Sequence, residues 1–156
     1  MLESRLKRSD IVWKLSKKVE YALMAVLHMD TLTRDEVASA KEISEEYRIP
    51  PDLLGKVLQA LARSGIAESV HGARGGYRLG RPLSELTLGD IMAAIEGPIN
   101  IVKCHDHPEE CDQYGVCNIR GPVLRMQDQL LSYLRAFRIS DFRWQSRKLS
   151  KQGSYK

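Results

Sequence analysis

The sequence predicts a mainly α fold: a winged helix-turn-helix with a small β-hairpin wing, followed by a long C-terminal dimerisation helix. Three observations carry this. Apolar residues recur at helical spacing in most segments. A capped helix, a proline-marked turn and a second helix are followed by two short strands around a glycine-rich basic tip. A last amphipathic stretch carries more apolar surface than one seam against its own domain needs. Between the wing and that stretch lie all three cysteines, spaced C-x6-C-x5-C.

The parts follow in order. Residues 1–16 form a basic lead-in, with Arg5, Lys7, Arg8 and Lys14 outnumbering Glu3 and Asp10. Residues 17–82 form the winged helix-turn-helix. Its first helix, 17–30, has an apolar face of Val19, Ala22, Leu23, Val26 and Leu27, with Ser16 as its cap. Ser39-Ala-Lys-Glu42 is a capping box and opens a second helix running to about Tyr47. Arg48-Ile49-Pro50-Pro51 breaks it, and Pro51 suits the first turn of the third helix, 51–64. Leu53, Leu54, Val57, Leu58 and Leu61 bury one side of that helix, and Gly65 suits the residue beyond its end. Strands at 66–70 and 76–79 then flank His71-Gly-Ala-Arg-Gly75.

Residues 83–120 hold a linker helix and the cysteine loop. Thr87 and Asp90 cap the helix, and Leu88, Ile91, Met92 and Ile95 face inward. Residues 121–142 form the dimerisation helix, where Val123, Gln127, Leu130, Leu134 and Phe137 follow a/d spacing. Residues 143–156 form a basic tail, with Arg143, Arg147, Lys148, Lys151 and Lys156 and no acid.

The helix-turn-helix and the wing point to double-stranded DNA. The third helix would enter the major groove, with Pro51 and Asp52 at its entering end and Lys56 and Gln59 in reach of base edges or phosphates. Ser69, His71, Arg74 and the Gly75-Gly76 backbone would reach the adjacent minor groove or backbone, and Lys17 and Lys18 would hold phosphates. A net charge of +4 suits this partner.

The stretch Cys104-His-Asp-His-Pro-Glu-Glu-Cys111-Asp-Gln-Tyr-Gly-Val-Cys117 is the candidate metal centre. Clustered thiolates suit zinc, an iron–sulfur cluster or redox chemistry. Zinc knuckles pair cysteines more closely than any pair here, so a standard knuckle is disfavoured. Three cysteines also leave a coordination position open, which suits sensing better than permanent structure. No apolar run reaches about 18 residues, so no membrane span is expected. With no secretory leader pattern at the start, a cytoplasmic location is expected, where thiols stay reduced. No nucleophile–base pair, phosphate loop or paired catalytic carboxylates are present, so an enzyme is not expected.

Taken together, Leu15-Ser-Lys-Lys-Val-Glu-Tyr-Ala-Leu23, Ser64-Gly65-Ile66, Gly72-Ala-Arg-Gly-Gly-Tyr-Arg-Leu79, Leu88-Gly-Asp-Ile91 and the cysteine triplet resemble the bacterial winged-helix regulators of the IscR, NsrR and RirA kind, the Rrf-two family. The resemblance covers roughly residues 15–140. It implies a homodimer on a near-palindromic operator. It implies a 2Fe–2S or 4Fe–4S cluster held by Cys104, Cys111 and Cys117, and transcriptional control, in the first instance repression, in response to iron, redox state, nitric oxide or cluster supply. The first gap, x6, differs from the x5-x5 form of the IscR and NsrR branches and from the wider gap of the RirA branch. The IscR branch has a histidine three positions after the third cysteine; here that position is Arg120. In the NsrR branch an acidic residue of the partner subunit's first helix completes the site, and Glu20 is the matching position. His105 and His107 compete for the same role. The alternatives are a cluster-free thiol regulator on the same scaffold and a small iron–sulfur carrier protein.

Overall fold

A computed structural model of the chain describes residues 14–143; most of the basic lead-in and of the basic tail lie outside the described residues. The elements run α1 Lys17–Met29, α2 Ala40–Tyr47, α3 Pro51–Arg63, β1 Ala67–Val70, β2 Gly76–Leu79, α4 Leu88–Glu96 and α5 Arg120–Ala136. Short 3-10 turns lie at Leu83–Glu85, Lys103–His105 and Pro108–Glu110. No helix among the described residues is long and apolar enough to cross a membrane.

Helix α1 starts where the Ser16 hydroxyl accepts from the Val19 amide, at 3.3 Å. Its face of Val19, Ala22, Leu23, Ala25, Val26 and Met29 is buried, and it packs against α2, α3, α4 and β2. Helix α2 opens with the expected capping box: Ser39 Oγ accepts from Glu42 N at 3.1 Å, and the Glu42 carboxylate accepts from Ser39 N at 2.8 Å. Arg48 then turns the chain in the left-handed region, with φ 53°. The buried Ser44 hydroxyl donates to Ile49 O at 2.7 Å, which holds the turn between α2 and α3. The end of α3 is a Schellman motif. Gly65, at φ 71°, donates to Ala62 O, and Ile66 N donates to Leu61 O at 3.0 Å.

That motif launches the wing. Strands β1 and β2 pair antiparallel with Ala67 opposite Leu79, Glu68 opposite Arg78, Ser69 opposite Tyr77 and Val70 opposite Gly76. Arg78 grips Glu68 with two nitrogens, at 2.9 and 3.1 Å. Ala38, just before α2, bridges Tyr77 through two backbone hydrogen bonds of 2.9 and 2.8 Å. The wing is therefore tied to the start of the helix-turn-helix. A Cβ on Gly76 would sit 2.5 Å from Ala38 O, and one on Gly75 would sit 2.4 Å from Val70 O. The chain's own backbone thus requires glycine at both positions.

Helix α4 opens with a second capping box, Thr87 with Asp90. Helix α5 packs on α4 and buries within its own chain part of the face that the a/d spacing assigned to the dimer. Gln127 and Leu134, both in the expected seam, are buried within the chain itself. The exposed apolar row is instead Ile119, Met126 and Tyr133, flanked by the half-buried Val123, Leu130 and Phe137. The helix also stops short of the expected 121–142 span. Phe137 turns extended, its carbonyl accepts from Leu88 N at 2.9 Å, and Ile139 N donates to Leu86 O at 2.9 Å. Ile139 is completely buried, so this return stitches the end of α5 to the start of α4. Beyond it, Arg143 of the expected tail hydrogen-bonds Asp30 at the end of α1.

Gly55 lies inside α3, where a Cβ would meet nothing within 4 Å. A helix-interior glycine costs about 0.5–1 kcal/mol relative to alanine. Gly55→Ala is expected to stabilise the fold by about that amount, read as a raised denaturation midpoint; a lowered midpoint would contradict the open surface seen here.

Candidate DNA interface and metal centre

Pro51 and Asp52 are exposed at the start of α3, a helix end with no side-chain cap. Lys56 and Gln59 are exposed one turn further on. The fold brings them together with Lys18 of α1 and with Arg63, which sequence reasoning had left aside, in one groove bounded by Ile95 of α4. Lys56, Gln59 and Arg63 stand at i, i+3 and i+7, so a helical wheel would have grouped them. Three cations and no carboxylate line this groove. Lys17 points to a different partner, the Glu20 carboxylate, at 2.6 Å.

Ser69, His71, Gly75 and Gly76 line a second, open groove with Ser39 and Ala40 at the start of α2. Arg74 stands exposed at the tip with no ion pair among the described residues, whereas Arg78 is engaged across the strands by Glu68. The wing therefore presents one uncommitted cation at its tip.

The three cysteines are half-buried free thiols. Cys104 lies in the 3-10 turn Lys103–His105, Cys111 directly follows the turn Pro108–Glu110, and Cys117 precedes α5. Backbone bonds fold the loop on itself: His107 N to Lys103 O at 3.0 Å, and Tyr114 N to Cys111 O at 3.0 Å. Arg120 donates to Tyr114 O and lays its guanidinium over the Tyr114 ring, 4.3 Å from the centroid. The residue at the position of the IscR-branch histidine thus clamps the segment between Cys111 and Cys117.

The two loop histidines differ. His105 Nδ1 meets Asp106 at 2.6 Å, and Asn100 donates to the other oxygen of the same carboxylate. Hydrogen bonds from His105 and then Asn100 hold the Asp106 carboxyl below the usual carboxylate range. His107 meets only Glu109, at 3.3 Å, with both side chains well exposed. His107, Glu109 and Glu110 are the one group of three among the described residues whose ligand atoms all lie within 4.8 Å of one another. That set is hard and solvent-exposed, and it contains no sulfur. The thiols are not gathered about a single point, nor does any such group join Glu20 to the cysteines of its own chain. A cluster spreads its thiolate ligands over separate irons, so three soft donors on one turn-rich loop, with an imidazole beside the first, fit an iron–sulfur group.

The family described as Rrf2, iron-dependent transcriptional regulator, matches residues 15–143. Among solved structures, IscR of T. potens superposes with a TM-score of 0.67 at 20% identity, covering 93% of this chain and 95% of that one. A transcriptional regulator of Listeria innocua superposes with 0.65 at 29% identity, covering 83% and 85%. CymR, the global cysteine regulator of B. subtilis, superposes with 0.62 at 23% identity, covering 83% and 95%. The winged-helix architecture, the wing and the match over nearly all described residues lead to one conclusion: this chain belongs to the Rrf2 family, and is a transcription regulator and not an enzyme.

Proposed function

We propose that the protein is a homodimeric regulator whose grip on operator DNA is set by an iron–sulfur cluster on Cys104, Cys111 and Cys117. The observation that carries this reading is the placement of three free thiols on one folded loop between α4 and α5. When bound, the cluster supplies redox and ligand-exchange chemistry at iron. The chain's own residues supply the rest. Arg120 and Tyr114 hold the loop in shape, and α5 carries its state to the dimer and so to the spacing of the two α3 helices. The α3 groove of Lys18, Lys56, Gln59 and Arg63, the entering end at Pro51 and Asp52, and the wing from Ser69 and His71 to Arg74 form the DNA-facing surface.

The dimer seam is the row Ile119, Val123, Met126, Leu130, Tyr133 and Phe137, whose alternating steps of four and three are those of a heptad. Its outermost members, Ile119, Met126 and Tyr133, are 60%, 49% and 61% exposed, more apolar surface than a lone helix leaves in water without a partner. A second copy of the same helix matches it.

The alternative is a cluster-free thiol regulator, which the free, half-buried state of all three thiols also supports. Anaerobic purification separates the two. The expected outcome is a coloured protein containing iron and acid-labile sulfide, with both lost in Cys111→Ser. A colourless, iron-free protein that still binds operator would favour the thiol regulator, and a cluster-bearing protein with no operator affinity would favour a carrier.

Two further outcomes follow from the surfaces. Arg74→Ala is expected to weaken operator binding and lower the slope of log affinity against log salt by about 0.9 per phosphate contact removed; an unchanged slope would take Arg74 off the phosphates. Met126→Glu combined with Tyr133→Glu is expected to give monomers by sedimentation and to weaken binding to a two-half-site operator roughly 100-fold or more. A dimer that persists would place the seam elsewhere.

A further inference from the structure

Gln127 is the only fully buried polar side chain on α5 among the described residues, at 0% exposure. An unpaired amide there would be costly, and this one is well satisfied. Its Oε1 accepts from Ile101 N at 2.6 Å, and its Nε2 donates to Ile99 O at 2.6 Å and to Asn100 Oδ1 at 3.1 Å. The side chain thus pairs with residues 99–101 much as a neighbouring strand would. Those residues lead directly into Cys104. The contacts continue outward: Asn100 donates to Asp106, and Asp106 meets His105 Nδ1 at 2.6 Å.

An ionised carboxylate only accepts, so the proton of this contact lies on His105 Nδ1. In the neutral ring the lone pair then lies on Nε2, the arrangement in which carboxylate-paired histidines bind metals. We propose that Gln127 is a positioning residue for the metal centre: from inside α5 it fixes residues 99–101 and, through Asn100 and Asp106, holds His105 so that its Nε2 completes the ligand set begun by Cys104, Cys111 and Cys117. The ligand part rests on the cluster reading above; the positioning part does not. The competing ligands are placed less well. Glu20 is bound to Lys17 at 2.6 Å, and His107 has only an exposed partner 3.3 Å away.

The test uses the full-length protein and four variants. His105→Gln removes the ligand. Asp106→Ala cuts the relay at the surface without disturbing the core. Gln127→Leu cuts it at its root, and Gln127→Glu keeps the acceptor for Ile101 N while losing the donor. In the metal-free protein, nitrogen NMR of the His105 ring should show a single Nδ1–H tautomer in the wild type. It should show a mixture in Asp106→Ala and Gln127→Leu, with partial rescue in Gln127→Glu. Should Gln127→Leu fail to fold, Asp106→Ala still reports on the last link of the relay, and Gln127→Glu on its root. In anaerobically loaded protein, His105→Gln should change the cluster's visible and magnetic spectra. Asp106→Ala should keep the wild-type spectrum but bind roughly 10–100-fold more weakly. An unchanged spectrum in His105→Gln would overturn the ligand assignment, and an unchanged tautomer in the relay variants would overturn the positioning role. If the wild type takes up no iron, the cluster reading falls, while the tautomer measurement still decides whether Gln127 orders His105.

Discussion

The whole fold depends on how closely α1 can be approached. Val19, Ala22, Ala25 and Val26 are completely buried, and α1 is met by α2, α3, α4 and β2. Two of those four side chains are methyl groups, so neighbouring backbones come near without leaving voids. A larger side chain at Ala22 or Ala25 would overpack the core around α1, to which Lys18 of the groove with Lys56, Gln59 and Arg63 belongs. That groove is thus set by small residues that never reach it.

Beyond this apolar centre the chain relies on polar ties. The Ser44 hydroxyl holds the turn before α3, the Ala38–Tyr77 bridge ties the wing to the start of α2, and Gln127 joins the approach to the cysteine loop with α5. Each lies where two elements, or an element and a connecting segment, meet. Hydrogen bonds are directional, so they fix orientation where hydrophobic contact fixes only proximity.

Much of this was legible in the sequence because the signals are local. Both capping boxes, the proline at the start of α3, Gly65 beyond its end and strand β2 lie where residue pattern alone places them. The register of α5 was not legible. That helix is apolar on two sides, and spacing cannot say which side meets its own chain; the decisive residue, Gln127, falls in the a/d series expected at the dimer seam, yet its partners at residues 99–101 lie in its own chain. The reason for Gly75 and Gly76 was hidden likewise, since it lies in the carbonyls of Val70 and Ala38. At the candidate metal centre the closeness of the three cysteines was visible in the sequence itself. The unequal standing of His105 and His107 was not, because it depends on Asn100 arriving beside Asp106 from before the loop.

The short return at Phe137–Ile139 bears on how the molecule can move. It fastens the far end of α5 to the chain just ahead of α4 through two backbone bonds and a buried isoleucine. The near end of α5 grows straight out of the cysteine loop. A rod held at one end and loaded at the other has a fulcrum. Any rearrangement around the cysteines therefore loads first the part of α5 ahead of Gln127, which is tied to residues 99–101. The largest displacement then falls near Ile119, and the smallest where the rod is stitched to the start of α4.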